Sequence, residues 1–213
     1  LLLGTAATGV FRAVAIDYLW VRAARLQEEG KFFESGALAK LITTLQPRLT
    51  TVWGFQAQNL AYSVTAALPP AERSTWVLDA IRLLRDEGLR LNPRDPTILF
   101  DLAFLFLHKI GADHDEAGYL YRSELAGTFD VEDGSPRGVA LRREWGIDAR
   151  ELALVEREWG VDLDFRAAES HALYWAELGR RNREALRRNP YRSHSLYLVA
   201  RAAVFQLFAG GHP

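Results

Sequence analysis

The hydrophobic positions along this chain carry many helix signals and almost no strand signals. Leucine and alanine dominate them, whereas β-branched residues are sparse and never alternate with polar residues over a long run. Leucine and alanine favour helices, while a half-buried strand needs strict alternation of apolar and polar residues. The pattern therefore predicts an all-α fold.

Glycines, prolines and capping residues divide this pattern into an array of antiparallel helical hairpins. A first helix runs from the apolar start to about Glu29 and ends at Gly30, a residue suited to a left-handed C-terminal position. Residues 127–136 form the clearest loop. Five helices are predicted between them. The second helix covers 32–45 and stops before Pro47, the third runs from a cap at Thr50 or Thr51 to about 67, and the fourth runs from Pro69 and Pro70 to 89. The fifth covers 97–109 after Asp95 and Pro96, and the sixth runs from a capping box of Asp113 and Glu116 to Gly127.

Residues 1–16 have the composition of the end of an apolar helix. They contain a single charge, Arg12, and a helix of about 20 apolar residues is what spans a bilayer. We predict that this segment is the C-terminal part of a transmembrane or signal-anchor helix. A remnant of a cleaved signal peptide and a buried helix of a soluble protein are the alternatives. The residues that follow suit a membrane–water boundary: Asp17, Tyr18, Trp20 and Arg22.

Large and small residues recur along residues 17–126. Trp20 and Trp53 lie 33 residues apart, and Pro47 and Pro93 each end a second helix of a pair. The second helices also carry Ala37-x3-Leu41, Ala80-x3-Leu84 and Ala117-x3-Tyr121. These residues resemble the tetratricopeptide repeat, in which a large residue on the first helix packs beside small residues on the second. The resemblance implies a right-handed superhelix with a concave groove.

The match to the tetratricopeptide pattern is incomplete. AA at 23–24 and QA at 56–57 stand where the repeat has leucine and glycine. A later stretch, WAELG at 175–179, does match the first-helix half of the pattern. Any helical hairpin domain needs small residues where helices cross and prolines where they stop, so an ordinary hairpin array is the alternative.

Five longer segments, taken together, carry a second resemblance. They are IDYLWVRAARLQEEGKFFE, LITTLQPRLTTVWGFQAQNLAYS, LLRDEGLRLNPRD, LFLHKIG and ESHALYWA. The set looks like a group of membrane-anchored bacterial proteins with tetratricopeptide-like helices. This resemblance implies an N-terminal anchor in the bacterial inner membrane and a helical domain on the periplasmic side. It implies no activity.

The chain is therefore divided into four parts. Residues 1–16 are the anchor segment and residues 17–126 are the tetratricopeptide-like hairpins. Residues 127–164 are a loop with short helices, and residues 165–213 are C-terminal helices that complete the array.

The third part contains a short duplication, REWGID at 143–148 and REWGVD at 157–162. Each copy places glycine and then an apolar residue after a helix, as a Schellman stop does, and Asp148 with Glu151 caps the helix between the copies. We interpret the duplication as a structural insertion whose two tryptophans clamp short helices to the array. The alternative is that Glu144 and Glu158 form a carboxylate pair for acid–base chemistry.

Composition and charge limit the classes of function. Apolar residues make up 49% and charged residues 25% of the chain, which excludes a disordered protein. The net charge of −1 argues against nucleic acid as a partner, because neutralising many phosphates requires a positive excess. The absence of cysteine excludes disulfides, cysteine-liganded metals and thiol nucleophiles.

Candidate metal chemistry is confined to one turn. His108 and His114 are spaced around three acids, Asp113, Asp115 and Glu116, and together these residue types can ligate a metal. The spacing matches no common metal site, and a solvated turn is the preferred interpretation.

Candidate catalytic chemistry is equally sparse. His171 lies one turn before Trp175 and is interpreted as a packing histidine rather than a base. Serines precede His171 and flank His194, but adjacency in sequence is not triad geometry. We predict no catalytic residue, no metal and no cofactor.

Two surfaces are candidates for binding a partner. A basic patch could hold an acidic protein, which we favour, or lipid headgroups or RNA, or be only a solvated face; its residues are Arg180, Arg181, Arg183, Arg187, Arg188 and Arg192. A groove lined by the first helix of each pair suits an extended peptide or a partner helix; its predicted residues are Tyr18, Arg25, Gln58, Tyr62, Asp101 and His108.

These observations predict a non-catalytic, membrane-anchored scaffold or docking subunit that binds protein partners in a bacterial membrane complex. One alternative is a helical enzyme that acts on envelope glycans or peptides, with His108 or His171 in a cleft. Another is a soluble cytosolic tetratricopeptide adaptor.

Overall fold

The computed structural model describes residues 2–132, 134–187 and 189–210, with side chains from residue 13 onward. Every regular element in these ranges is a helix, which confirms the all-α prediction. The α-helices are α1 (Leu2–Glu28), α2 (Phe32–Leu45), α3 (Thr50–Gln58), α4 (Pro70–Arg82), α5 (Leu89–Leu91), α6 (Pro96–Phe104), α7 (Gly118–Thr128), α8 (Pro136–Glu144), α9 (Ala149–Trp159), α10 (Ala168–Arg180), α11 (Arg183–Arg187) and α12 (Pro190–Ala209).

Three segments of π-helix extend these α-helices. Asn59–Val64 follows α3, Leu83–Gly88 joins α4 to α5, and Leu105–Gly111 follows α6. The wider π-turn keeps the chain helical while changing which residues share a face. The helices predicted to end near residues 67, 89 and 109 therefore reach those lengths partly as π-helix.

Two helices begin at side-chain caps that the sequence predicts. Asp95 accepts hydrogen bonds from the backbone N–H groups of Thr97 (2.9 Å) and Ile98 (3.2 Å) at the start of α6. Asp148 accepts from the second and third residues of α9 at 2.9 and 3.0 Å. Both aspartate caps are confirmed, because each aspartate satisfies N–H groups that have no partner within the helix. The part predicted for Glu151 is wrong: its carboxylate binds Arg94 and Arg181, and the N–H of Asp148 donates to the Tyr174 hydroxyl.

The two copies of the duplication end helices as predicted. Gly146 and Gly160 both adopt positive φ, +76° and +65°. The N–H of Ile147 donates to the carbonyl five residues earlier at 2.8 Å, and Val161 makes the equivalent bond at 3.3 Å. Both apolar residues are buried, which completes the Schellman pattern.

The capping box predicted for the sixth helix is wrong. This helix, α7, begins later, at Gly118. Asp113 and Glu116 do not bond each other's backbone; their carboxylates bind Arg122 (2.7 Å) and Arg73 (3.0 Å). Ion pairs with arginine side chains, Arg122 within α7 and Arg73 on α4, therefore take the two acids away from the capping role.

The cap predicted for α3 is also wrong. The helix begins at Thr50 itself, so Leu49 occupies the cap position and provides no side-chain hydrogen bond. The N–H of Val52 instead donates to the Leu49 carbonyl at 3.2 Å. By contrast, α2 has the predicted bounds and follows Gly30, whose φ is +76°.

Helices that follow one another pack side by side in the first half of the chain. α1 packs against α2, α2 against α3, and α3 against both α4 and α6. A small apolar cluster joins the first three helices through Ile16, Ala39, Ile42 and Val52. A separate, much larger core fills the rest of the molecule.

Helix α10 lies at the centre of the larger core. Ten of its residues are buried, and it packs against α6 on one side and α12 on another. A β-carbon on Gly179 would stand 3.0 Å from the Leu196 side chain of α12. The glycine therefore permits a close approach of these two helices.

Trp145 and Trp159, from the two copies of the duplication, both pack against this core. Their placement agrees with a structural insertion. Of the alternative carboxylate pair, Glu158 binds Arg181 at 3.0 Å and Glu144 is exposed.

None of the helices in the described ranges is both long enough and apolar enough to cross a membrane. Of the residues 1–16 that are predicted to form the anchor, residues 2–16 belong to the first part of α1. Residue 1 and the side chains of residues 2–12 lie outside the described part of the structure. The anchor therefore stays a prediction.

Candidate functional site

A cleft of about 1170 Å³ opens between the C-terminal helices. Helix α9 forms one wall, the end of α10 and α11 form the floor, and the first turns of α12 form the other wall. These segments approach because α10 packs against both α9 and α12, and α11 against α12. The lining residues are Leu154, Arg157, Glu158, Glu177, Arg180, Arg181, Arg183, Leu186, Arg187, Pro190, Ser193, His194 and Tyr197. We call this the arginine cleft.

The arginine cleft is positively charged. Five arginines and only two glutamates line it, which gives a net charge of +3 with His194 neutral. A concave arrangement of like charges strengthens the attraction for an anion relative to a flat surface.

Two of the five arginines are already paired. Arg180 binds Glu177, whose side chain is 1% exposed, and its guanidinium lies 5.3 Å from the ring centre of Tyr197. Arg181 bridges Glu151 (3.2 Å) and Glu158 (3.0 Å). These pairs hold the floor of the cleft in place, and their charges are largely neutralised within the protein.

The other three arginines are available to a ligand. Arg157, Arg183 and Arg187 are exposed and form no ion pair within the described ranges. A guanidinium donates hydrogen bonds in a planar fork that matches a carboxylate or a phosphate. The cleft can therefore bind two or three anionic groups at once.

Apolar side chains lie between these charges. Leu186 is buried in the floor, while Leu154 and Tyr197 are exposed at the walls. A ligand with apolar groups beside its anionic groups would therefore match the cleft better than a free ion does.

The predicted basic patch only partly coincides with the cleft. Arg180, Arg181, Arg183 and Arg187 line it, whereas Arg188 lies outside the described residues. Arg192 is not part of it: its guanidinium packs 4.3 Å from the ring centre of Phe100.

Arg192 instead faces Asp101, one of the predicted groove residues. Asp101 is 7% exposed on α6, and burial raises its pKa to about 6 although the charge of Arg192 opposes the change. The Nε of Arg192 is buried without a hydrogen-bond partner in the described ranges. α12 packs against α6 in this region, so the predicted groove is not open along that side of α6.

Of the six predicted groove residues, hydrogen bonding joins only Tyr62 and His108. The Tyr62 hydroxyl lies 3.1 Å from Nδ1 of His108, and both residues belong to π-helical segments. The other three, Tyr18, Arg25 and Gln58, are exposed on α1 and α3. Their role in lining a groove for a peptide therefore stays a prediction.

The turn that carries His108 and His114 holds a buried ion pair. Lys109 is 6% exposed, and its Nζ donates to Asp115 (2.6 Å) and Thr65 (3.1 Å). Although burial opposes it, the hydrogen bond from Lys109 holds the pKa of Asp115 well below its usual range.

The rings of His108 and His114 are 4.8 Å apart beside that pair. Burial lowers the pKa of His108, and the neighbouring His114 and Lys109 lower it further. In the described part of the chain no three histidine, aspartate or glutamate side chains are grouped to hold a metal ion. Asp115, the acid that a metal ion would need as a ligand, is already paired with Lys109.

His171 is a packing residue, as the sequence predicts. It is fully buried, its ring stacks on Phe106 with centres 4.4 Å apart, and its Nε2 lies 2.9 Å from the carbonyl oxygen of Phe165. Burial lowers its pKa to about 3. The imidazole is therefore neutral and has no access to a substrate.

Sequence reasoning missed the residues that α9 and α12 contribute to the cleft, above all Arg157, His194 and Tyr197. Arg157 belongs to the second copy of the duplication, and no local signal there distinguishes a cleft residue from a solvated one. Comparison of the chain with protein-family models, curated proteins and solved structures finds no match. The functional argument therefore depends on the geometry of the cleft.

Proposed function

We propose that this protein is a non-catalytic docking subunit that binds an acidic segment of a protein partner in the arginine cleft. The observation that carries the proposal is the placement of Arg157, Arg183 and Arg187 around one concavity without carboxylate partners in the described ranges. Unpaired guanidiniums gain ion pairs when a partner binds, while paired ones such as Arg181 must first lose theirs.

The cleft favours protein over nucleic acid. Leu154, Leu186 and Pro190 line it among the charges, and protein interfaces combine apolar anchors with arginine in this way. A nucleic acid would instead follow an extended basic face.

The proposal also includes a membrane anchor and a tetratricopeptide-like superhelix. Residues 1–16 would tether the helical domain to the periplasmic side of a bacterial inner membrane, and the anchor would raise the local concentration of a membrane partner. The support is the apolar composition of that segment and the resemblance carried by residues 17–126.

Charge reversal in the cleft tests the proposal. The probe is fluorescein-labelled decaglutamate, and binding is followed by fluorescence anisotropy at low salt. We expect the double variant Arg183→Glu/Arg187→Glu to bind it about tenfold more weakly than the wild type, because each reversal replaces an attraction with a repulsion.

The matched control is Arg48→Glu/Arg90→Glu. Both arginines are exposed outside the cleft, and the net charge changes by the same amount. We expect little change in its affinity. Equal losses in the two double variants would show general charge attraction and would overturn the proposal.

A further inference from the structure

Helix α12 carries a second exposed surface next to the arginine cleft. Large apolar side chains cover it, although such groups are normally buried: Tyr191 is 86% exposed and Phe205 75% exposed. The complete set is Tyr191, Leu198, Phe205 and Phe208, and we call it the α12 stripe.

The spacing along α12 makes the stripe continuous with the cleft. Positions 191, 198, 205 and 208 fall within an arc of roughly 100° on a helix of 3.6 residues per turn. The cleft-lining positions 190, 193, 194 and 197 occupy an arc that overlaps one edge of the stripe. Pro190 and His194 lie in the overlap, and the exposed Arg201 lies within the arc of the stripe, so this apolar surface carries a positive charge and borders the arginines of the cleft.

We propose that the acidic segment is an amphipathic α-helix that lies along α12. Its carboxylates pair with Arg183 and Arg187 in the cleft, and its apolar face covers Leu198, Phe205 and Phe208. This inference rests on the proposed function and names the form of its ligand. At a rise of 1.5 Å per residue, the stripe from position 191 to 208 is about 26 Å long, which matches a partner helix of about 17 residues.

The course of the stripe along α12 favours a helix over an extended peptide. α12 already packs side by side with α10, and an apolar strip on its exposed face is a surface on which a further helix can pack in the same way. An extended peptide commonly binds by addition to a sheet edge. The described part of this chain contains no strand to which one could add.

Charge disfavours a second copy of α12 as the occupant. The exposed face of this helix carries His194 and Arg201, and residues 190–209 contain no aspartate or glutamate. Two copies of this helix packed on each other would therefore bring like charges together, which destabilises an interface. The concave shape of the cleft also favours a helix over a bilayer, because the flat surface of a bilayer contacts only the rim of the cleft.

Two designed peptides of equal length and composition test the inference. In the first, leucines recur at i, i+3, i+4 and i+7 with glutamates along one flank, and in the second the same residues are permuted so that no apolar face forms. We expect the wild type to bind the amphipathic peptide about tenfold more tightly than the permuted one. The double variant Leu198→Ser/Phe205→Ser should lose this preference and keep its affinity for decaglutamate.

The control variant is Tyr119→Ser, which removes an equally exposed aromatic ring on α7. It should bind both peptides as the wild type does. Because Leu198 and Phe205 are exposed, circular dichroism should show an unchanged melting temperature for the stripe variant.

The outcomes separate the two proposals. Equal affinity for the two peptides, with decaglutamate binding still dependent on Arg183 and Arg187, would overturn the helix inference and leave the proposed function standing. If the wild type also fails to bind decaglutamate, both the helix inference and the proposed function are overturned. Binding of phosphatidylglycerol vesicles through Phe205, without binding of the amphipathic peptide, would assign the stripe to a membrane surface and overturn the inference.

Discussion

The carboxylate of Asp101 on α6 lies directly against the backbone of Gly54 on α3. A β-carbon at position 54 would overlap Oδ2 of Asp101 and stand 2.9 Å from its Cγ. Both residues are buried. The glycine therefore makes room for an acid in the contact between the two helices.

Gly54→Ala should destabilise the protein. Alanine normally stabilises a helix by about 1 kcal/mol relative to glycine. Here the added methyl group displaces a buried carboxylate, and overpacking of this kind costs about 1–3 kcal/mol. We expect a net loss of stability in urea unfolding.

Gly127→Ala is the matched control for this substitution. Gly127 is also helical, and nothing lies within 4 Å of the position its β-carbon would take. Its substitution should stabilise the protein slightly. A gain of stability at both sites would contradict the proposed overlap with Asp101.

Asp101 should make the protein less stable as pH rises from 4 to 7. Burial raises its folded-state pKa to about 6, above the unfolded value, while Arg192 and Asp95 act in opposite directions. The folded protein therefore binds the proton more tightly than the unfolded chain, and this contribution is lost as pH passes through 6.

The variant Asp101→Asn isolates this effect. Asparagine does not titrate, so its stability relative to the wild type should rise by about 2 kcal/mol between pH 4 and pH 7. The measurement is urea unfolding of both proteins at each pH. A difference that stays constant over this range would show that Asp101 titrates normally.

Lys109→Met should destabilise the protein by about 3 kcal/mol, because it leaves the half-buried Asp115 without its closest cation. The remaining partners of Asp115 are Arg73 at 2.9 Å, the backbone N–H of Ala117 at 2.9 Å and the hydroxyl of Tyr121 at 3.0 Å. Denaturant unfolding measures the loss.

An exposed ion pair provides the control. Arg82 binds Asp79 at 2.9 Å, with both side chains about half exposed. Arg82→Met should cost less than about 1 kcal/mol. Similar losses in the two variants would mean that the burial of Lys109 adds nothing to its ion pair.

Glu158→Gln should strengthen the binding of acidic peptides. Glu158 is exposed and competes with a ligand for Arg181 in the arginine cleft. Its neutralisation should tighten decaglutamate binding about twofold, the effect of one exposed charge pair, with little change in stability. Glu124→Gln, exposed on α7, should leave the affinity unchanged. Equal affinities of wild type and Glu158→Gln would place the ligand away from Arg181.

The helix boundaries were the most predictable part of this structure. The caps at Asp95 and Asp148 and the stops at Gly146 and Gly160 follow directly from residue type, because each involves hydrogen bonds between residues at most five apart. The prediction failed at Asp113 and Glu116 because those acids pair with arginine side chains, one within α7 and one distant in the chain, instead of with backbone N–H groups.

The candidate site was predictable only in part. The window 180–192 supplies Arg183 and Arg187, and its positive charge is visible in the sequence. Arg192 belongs to the same window but packs on Phe100, 92 positions earlier in the chain. Arg157 lies outside the window and lines the cleft.

The sequence by itself determined that this protein is helical and where several of its helices begin and end, because helix hydrogen bonds and caps form between near neighbours. Only the tertiary structure decided which arginines share a cleft, that Asp101 is buried against Gly54, and that the α12 stripe borders the arginine cleft. These features depend on how α6, α9, α10 and α12 cross. The crossings follow from the packing of side chains that are distant in the chain, and local patterns do not encode them.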